Sequence, residues 1–159
     1  MTANNAAWVL QNGLSLEQET VLHDLYRHVV LSENGRVFFG LTEEQIKVSL
    51  IHRQSKGRLI YRRNEAGNID CLFLWSRHKE GWEDKDWPED DEDGDQIFLE
   101  AALAQTPAAR KWGLLEFFRK EPDALWCRKV AYRQRGNRQE LHEVTNKALA
   151  RLLKHGKQT

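Results

Sequence analysis

From Ile97 to Gly113 the chain reads Ile-Phe-Leu-Glu-Ala-Ala-Leu-Ala-Gln-Thr-Pro-Ala-Ala-Arg-Lys-Trp-Gly. Ile97 to Ala104 is near-continuously apolar apart from Glu100, the pattern of a strand covered on both faces. Thr106 and Pro107 follow almost at once: a capping residue and then a proline at the first helical position. A helix launched that close to a buried strand must fold back over the sheet, which favours a layered α/β architecture. The spacing predicts a helix to about Lys120, with Trp112, Leu114, Leu115 and Phe118 facing inward, stopped by Glu121-Pro122-Asp123.

The remaining elements fit around this unit. Ser15 to about Ser32 reads as a helix, with Gln18 completing a capping box and Leu16, Val21, Leu22, Leu25, Val29 and Val30 forming an apolar stripe. Thr42 and Gln45 repeat the capping box before a second helix, in which Ile46, Leu50 and Ile51 face inward and Gly57 ends the run. Leu59-Ile60-Tyr61 and Ile69 to Trp75 are rich in β-formers around a glycine-containing loop, a hairpin signal. A further strand is expected over Leu125 to Tyr132, a turn at Arg135-Gly136-Asn137 with room for a short further strand after it, and a closing helix from Glu140 to about His155.

At 159 residues the chain suits one domain. The expectation is a flexible arm over 1–14 and a single domain over 15–156. No apolar run approaches the ~20 residues of a membrane helix, and the first residues lack a secretory pattern. Cys71 and Cys127 show no CxxC spacing and read as reduced, buried thiols of a cytoplasmic protein. Net charge is zero but uneven. From Glu80 to Gln105 there are 11 acids and one base; from Thr106 onward, 13 bases and 5 acids. The acidic run, 79–95, predicts an exposed, solvated loop. Trp82 and Trp87 within it are candidates for a lid, whereas Trp75 and Trp126 belong in the core. The basic third suits an anionic ligand. The six histidines show no HxH or HExxH spacing, so no metal is expected, and GxSxG, Walker A and GxGxxG motifs are lacking.

The chemistry is expected at the turn. A helix N-terminus presents unpaired N–H groups and the positive end of its dipole, an anion site suited to a pyrophosphate. Ala108 and Ala109 leave room for close approach, and Arg110 and Lys111 add positive charge. Pro107, Arg110 and Gly113 spell P-x-x-R-x-x-G. This resembles the acyl-CoA binding motif of the GNAT acyltransferase superfamily. The glycine-turn hairpin before it, the helix after it, and the Asn146, Ala148 and Gly156 segment agree with that resemblance.

The resemblance implies a single GNAT-like α/β (α+β) domain, with a central mixed, mostly antiparallel sheet flanked by about four helices. It implies a cofactor site formed by Ala104, Thr106, Ala108, Ala109, Arg110, Lys111, Trp112 and Gly113, taking acetyl-CoA or another acyl thioester. The chain departs from the motif in three ways: Leu115 stands where a second small residue is usual, Leu152 or Leu153 where an acid tyrosine is usual, and no room remains for two terminal strands. The shortened end is closer to the toxin-activating acyltransferases, which draw on acyl carrier protein. Glu100, a lone acid in an apolar strand, needs a partner or a raised pKa. It is the candidate base for an amine or protein acceptor, with Tyr132 as candidate acid toward the leaving thiolate. A structural role for Glu100 pairs it with Arg128 or Arg133. The alternative function is a degenerate binding or structural module, of the kind viruses and mobile elements use. A nucleic-acid surface of Arg128, Arg133, Arg135, Arg138 and Lys147 is not expected, since the acidic run opposes it.

Overall fold

The computed structural model describes residues 15–31, 41–82, 90–125, 129–134 and 137–144, with side chains as far as 124. Three helices and five strands follow one another: α1 (Leu16–Leu31), α2 (Glu43–Ser55), β1 (Leu59–Arg63), β2 (Ile69–His78), β3 (Gln96–Ala104), α3 (Pro107–Lys120), β4 (Lys129–Gln134) and β5 (Asn137–Val144). A short 3-10 turn, Pro122–Leu125, sits between α3 and β4. The strands lie side by side in chain order. Neighbours are antiparallel except β3 and β4, which run parallel with α3 as their connection. The fold is thus mixed α and β around a mixed, mostly antiparallel sheet. No helix among the described residues is long and apolar enough to cross a membrane.

Local chemistry sets the boundaries. Both capping boxes form: Ser15 and Gln18 exchange bonds of 3.2 and 2.9 Å, and so do Thr42 and Gln45. Gly57 ends α2 at φ 70°, and Gly57 and Arg58 donate to the carbonyls of Gln54 and Arg53, satisfying two orphan acceptors. Asn64 Oδ1 accepts from the Ala66 and Asn68 amides and shapes the hairpin loop.

The sheet separates two cores. On one face Leu22, Leu25 and Val29 of α1 and Ile46, Leu50 and Ile51 of α2 meet Leu59, Leu72, Leu74, Ala101 and Leu103. On the other, Ala109, Phe117 and Phe118 of α3 meet Ile60, Cys71, Phe73, Trp75 and Ile97. Along α3 the inward row is Ala109, Gly113 and Phe117, with Trp112 and Leu114 at its margin; Leu115 lies outside this core. Leu16 and Val30 are exposed on α1, so the buried stripe is narrower than the sequence suggests.

Three expectations are corrected. Glu140 to Val144, read as the start of a helix, belongs to β5, which pairs with β4 across a two-residue link. Leu141 and Val144 fit a helical stripe, but the open edge of β4 offers backbone bonds that override that periodicity. The rest of that predicted helix, Asn146 included, lies outside the described residues, as do the arm over 1–14, Trp87, Trp126 and Cys127. Among the described acids of the 79–95 run, Glu80, Glu92, Asp93 and Asp95 are exposed as expected, but Asp90 is not. Asp90 is buried in a salt bridge with Arg58 and accepts from the Arg77 amide at 2.9 Å, while Glu92 pairs with Lys56. Nor is Trp82 a lid. It is 4% exposed, stacks on His78 and donates to Gln96 Oε1 at 2.9 Å, because an indole with one polar atom packs well once that atom is bonded.

Candidate functional site

The junction of β3 and α3 is the turn the sequence pointed to. Gln105 donates to the Asp70 carbonyl at 3.0 Å, fixing the chain as it leaves β3. Thr106 caps the helix: its hydroxyl accepts from Ala109 N at 3.1 Å, and its carbonyl accepts from Arg110 N. Pro107 has no N–H. Of the first-turn donors, that leaves the exposed Ala108 amide open to a ligand. Arg110 is exposed and Lys111 half-buried beside it. Trp112 is half-buried under the Arg62 guanidinium, 5.5 Å from the ring centre, and Arg62 in turn forks Asp70 at 3.1 and 2.7 Å.

The eight residues expected around a thioester donor therefore divide. Thr106, Ala108, Arg110, Lys111 and Trp112 surround the turn. Ala104 is half-buried at the end of β3, packed toward α3. Ala109 and Gly113 face the sheet. A Cβ on Gly113 would stand 2.6 Å from the Phe73 ring and 2.8 Å from Cys71 Sγ, so this glycine serves close helix–sheet packing. Cys71 itself is an inert thiol, its pKa pushed up to about 12, chiefly by burial and then by the Asp70 charge.

Glu100 occupies a special backbone position. Leu74 faces Ala101 and Trp75 faces Leu99, so Glu100 is the extra residue of a β-bulge. Bulges re-aim side chains and cluster near active sites. On the other side of β3, pairing with β4 runs from Gln96–Lys129 to Leu99–Tyr132 and stops. Glu100 to Ala104 thus have no β4 partner, and the two parallel strands part at the bulge. Tyr132 belongs to the last paired position, next to Glu100 in register; its side chain lies outside what is described.

Among the described residues the partner of Glu100 is Arg53, at the end of α2; the side chains of Arg128 and Arg133, the partners expected from the sequence, lie outside the described residues. Arg53 Nε and Nη2 donate to the two carboxylate oxygens at 2.7 and 2.6 Å, a bidentate fork. Burial opposes the Arg53 charge, but Glu100's charge and hydrogen bonds outweigh it and raise the Arg53 pKa. Ser76 Oγ also donates to Glu100, at 3.2 Å, and lies 2.7 Å from His78 Nε2. Arg53, Ser76 and His78 escaped the sequence reading. The available signal was the alternation Leu72, Leu74, Ser76, His78, which puts two polar residues on a face that begins as core. No family model matches the chain, and no curated protein or solved structure does either.

Proposed function

We propose that this chain is an acyltransferase that moves an acyl group from a coenzyme A or acyl-carrier-protein thioester to an amine. The observation that carries the reading is the parting of β3 from β4 after Leu99, on the strand that leads into the capped start of α3. A pyrophosphate or phosphopantetheine phosphate would meet the Ala108 amide, Arg110 and Lys111 at the positive end of α3. The donor's thioester arm would then run into the opening and take β4's place beside the backbone of Glu100 to Ala104, apart from the Leu103 carbonyl, which already lies 3.3 Å from His28 Nε2. A backbone amide there stabilises the carbonyl oxygen as charge develops on it. Glu100 takes a proton from the attacking amine, and Tyr132 gives one to the departing thiolate. With no activated nucleophile at the opening among the described residues, the acyl group passes directly from sulfur to nitrogen.

One observation favours a second reading, a module that binds without catalysing: Thr106 already occupies the Ala109 amide and Arg53 already occupies both Glu100 oxygens. Isothermal titration with acetyl-CoA, a longer acyl-CoA and acyl carrier protein separates the two. Saturable binding of one donor, lost in Arg110→Glu, together with transfer to an amine, supports the enzyme. Binding without transfer supports the module, and no binding of any donor refutes the acyltransferase.

A further inference from the structure

Leu72, Leu74, Ser76 and His78 are alternate residues of β2 and share one face. The first two fill the core beneath α1 and α2. Ser76 and His78 are equally buried, at 0% and 2% exposure, and both are polar. Such burial is costly unless the groups are bonded, and here they form one chain: Glu100 Oε1, Ser76 Oγ at 3.2 Å, then His78 Nε2 at 2.7 Å from that hydroxyl. The His78 ring stacks on Trp82, centroids 4.8 Å apart, and Gln96 fixes the indole. The order of atoms is carboxylate, hydroxyl, imidazole. The serine lies in the middle and is buried, which suits proton conduction and not nucleophilic attack.

Building on the acyltransferase reading, we propose that Ser76 and His78 are a proton relay behind Glu100. An arginine fork favours the charged carboxylate, so a proton taken by Glu100 needs an onward path. In the reaction the amine nitrogen bonds to the acyl carbon, the carbon–sulfur bond breaks, and the thiolate leaves with the electron pair. The nitrogen's proton goes to Glu100. Glu100 passes it to Ser76 Oγ while the hydroxyl's own proton moves to His78 Nε2. Glu100 is then again a carboxylate, Ser76 an alcohol and His78 an imidazolium, which loses its Nδ1 proton to bulk water; tautomer exchange, the Nε2 proton lost and an Nδ1 proton regained, restores the bare Nε2 that accepts the next one. Among the described residues the charged and titratable groups around this path are Arg53 and His52 of α2, Arg58 ahead of β1, Arg77 of β2, Lys79, and Asp90 and Asp91 ahead of β3. Arg53 neutralises Glu100, whereas the Asp91 carboxyl, held low chiefly by the Asp93 amide and then by Lys79, is near enough to feel the His78 charge as well.

The test is a histidine titration by long-range proton–nitrogen NMR on the full chain, with His78→Asn identifying the signal. A hydroxyl-bridged carboxylate supports the imidazolium, so Glu100→Gln should lower the His78 midpoint by about one pH unit. In a Ser76→Ala background the same change should move it less than half as far, and Ser76→Thr, which keeps the hydroxyl, should restore the full shift. Equal shifts with and without the hydroxyl overturn the relay. Turnover of a donor thioester is measured on the same proteins. Hydroxyl-dependent coupling without turnover leaves the relay and removes the transferase reading; turnover without coupling removes the relay alone. With both present, Ser76→Ala should lower kcat about tenfold with KM unchanged and alter the acid limb of the pH profile.

Discussion

The β1–β2 and β2–β3 ladders each contain one bulge, and in each the extra residue is an acid held in an arginine fork: Asp70 by Arg62, Glu100 by Arg53. The two point to opposite faces of the sheet and end differently. The Asp70 carboxylate goes no further than Arg62, whose side chain is 31% exposed and lies over Trp112. The Asp70 backbone carbonyl, meanwhile, fixes Gln105 at the start of the turn. Glu100 shares its carboxylate with Ser76 and so with His78, and its arginine is only 15% exposed. One bulge closes at the surface and seats a helix. The other leads inward to a buried polar chain beside the parting of two strands. The same local device therefore carries different electrostatic stakes, which depend on whether the arginine reaches water once its acid is removed.

Removing the acids exposes that difference most strongly. Glu100→Ala leaves Arg53 charged, unpaired and largely buried, and should cost about 3 to 5 kcal/mol. Asp70→Ala releases Arg62 to solvent and should cost about 1 kcal/mol. Urea unfolding measures both, and equal losses would break the contrast. Next come the glycines beside each bulge's partners. A Cβ on Gly94 would lie 2.5 Å from the backbone nitrogen and oxygen of His78, atoms that cannot give way without moving β2. Gly94→Ala should therefore cost about 2 to 3 kcal/mol. Gly113→Ala meets side-chain atoms of Phe73 and Cys71 and gains about 1 kcal/mol of helix propensity in return. Its net loss should be nearer 1 kcal/mol by the same unfolding measurement. A larger loss at Gly113 than at Gly94 would mean that the α3 face is the more rigid one.

The sequence made the helices and the β3–α3 turn legible because caps, proline and glycine act locally: Ser15, Thr42, Gly57 and Thr106 each do what their positions suggest. It also marked Glu100 as needing a partner. The partner was illegible, because Arg53 is separated from it by 47 residues and only tertiary packing joins them. β5 was misread because its apolar spacing fits two periods and the neighbouring strand decides between them. Charge density predicts solvation on average, which holds for Glu80, Glu92, Asp93 and Asp95, while the position of one acid, Asp90, depends on Arg58 across the fold. Ser76 and His78 were hidden for a related reason: alternation shows which face a residue takes, but not that its neighbour across the strand is a bulged acid.

His52 sharpens the comparison with the smallest effect. It precedes Arg53 on α2, and its buried Nδ1 has no partner among the described residues. Burial and then the Arg53 charge lower its pKa below the ordinary value of about 6.5. The folded chain therefore resists protonating His52, while the unfolded chain accepts the proton normally. The stability tied to the neutral ring is full above about pH 6.5 and falls as the pH drops from there toward the lower folded value. This slope should flatten in His52→Asn. Glu100→Ala removes the charge that balances Arg53, so the unbalanced guanidinium should press harder on His52 and steepen the slope. Asp70→Ala, whose arginine lies on the opposite face, should leave it unchanged. Unfolding curves recorded on either side of pH 6.5 make the comparison, and a slope that responds equally to both acids would show that the two bulges share one electrostatic environment.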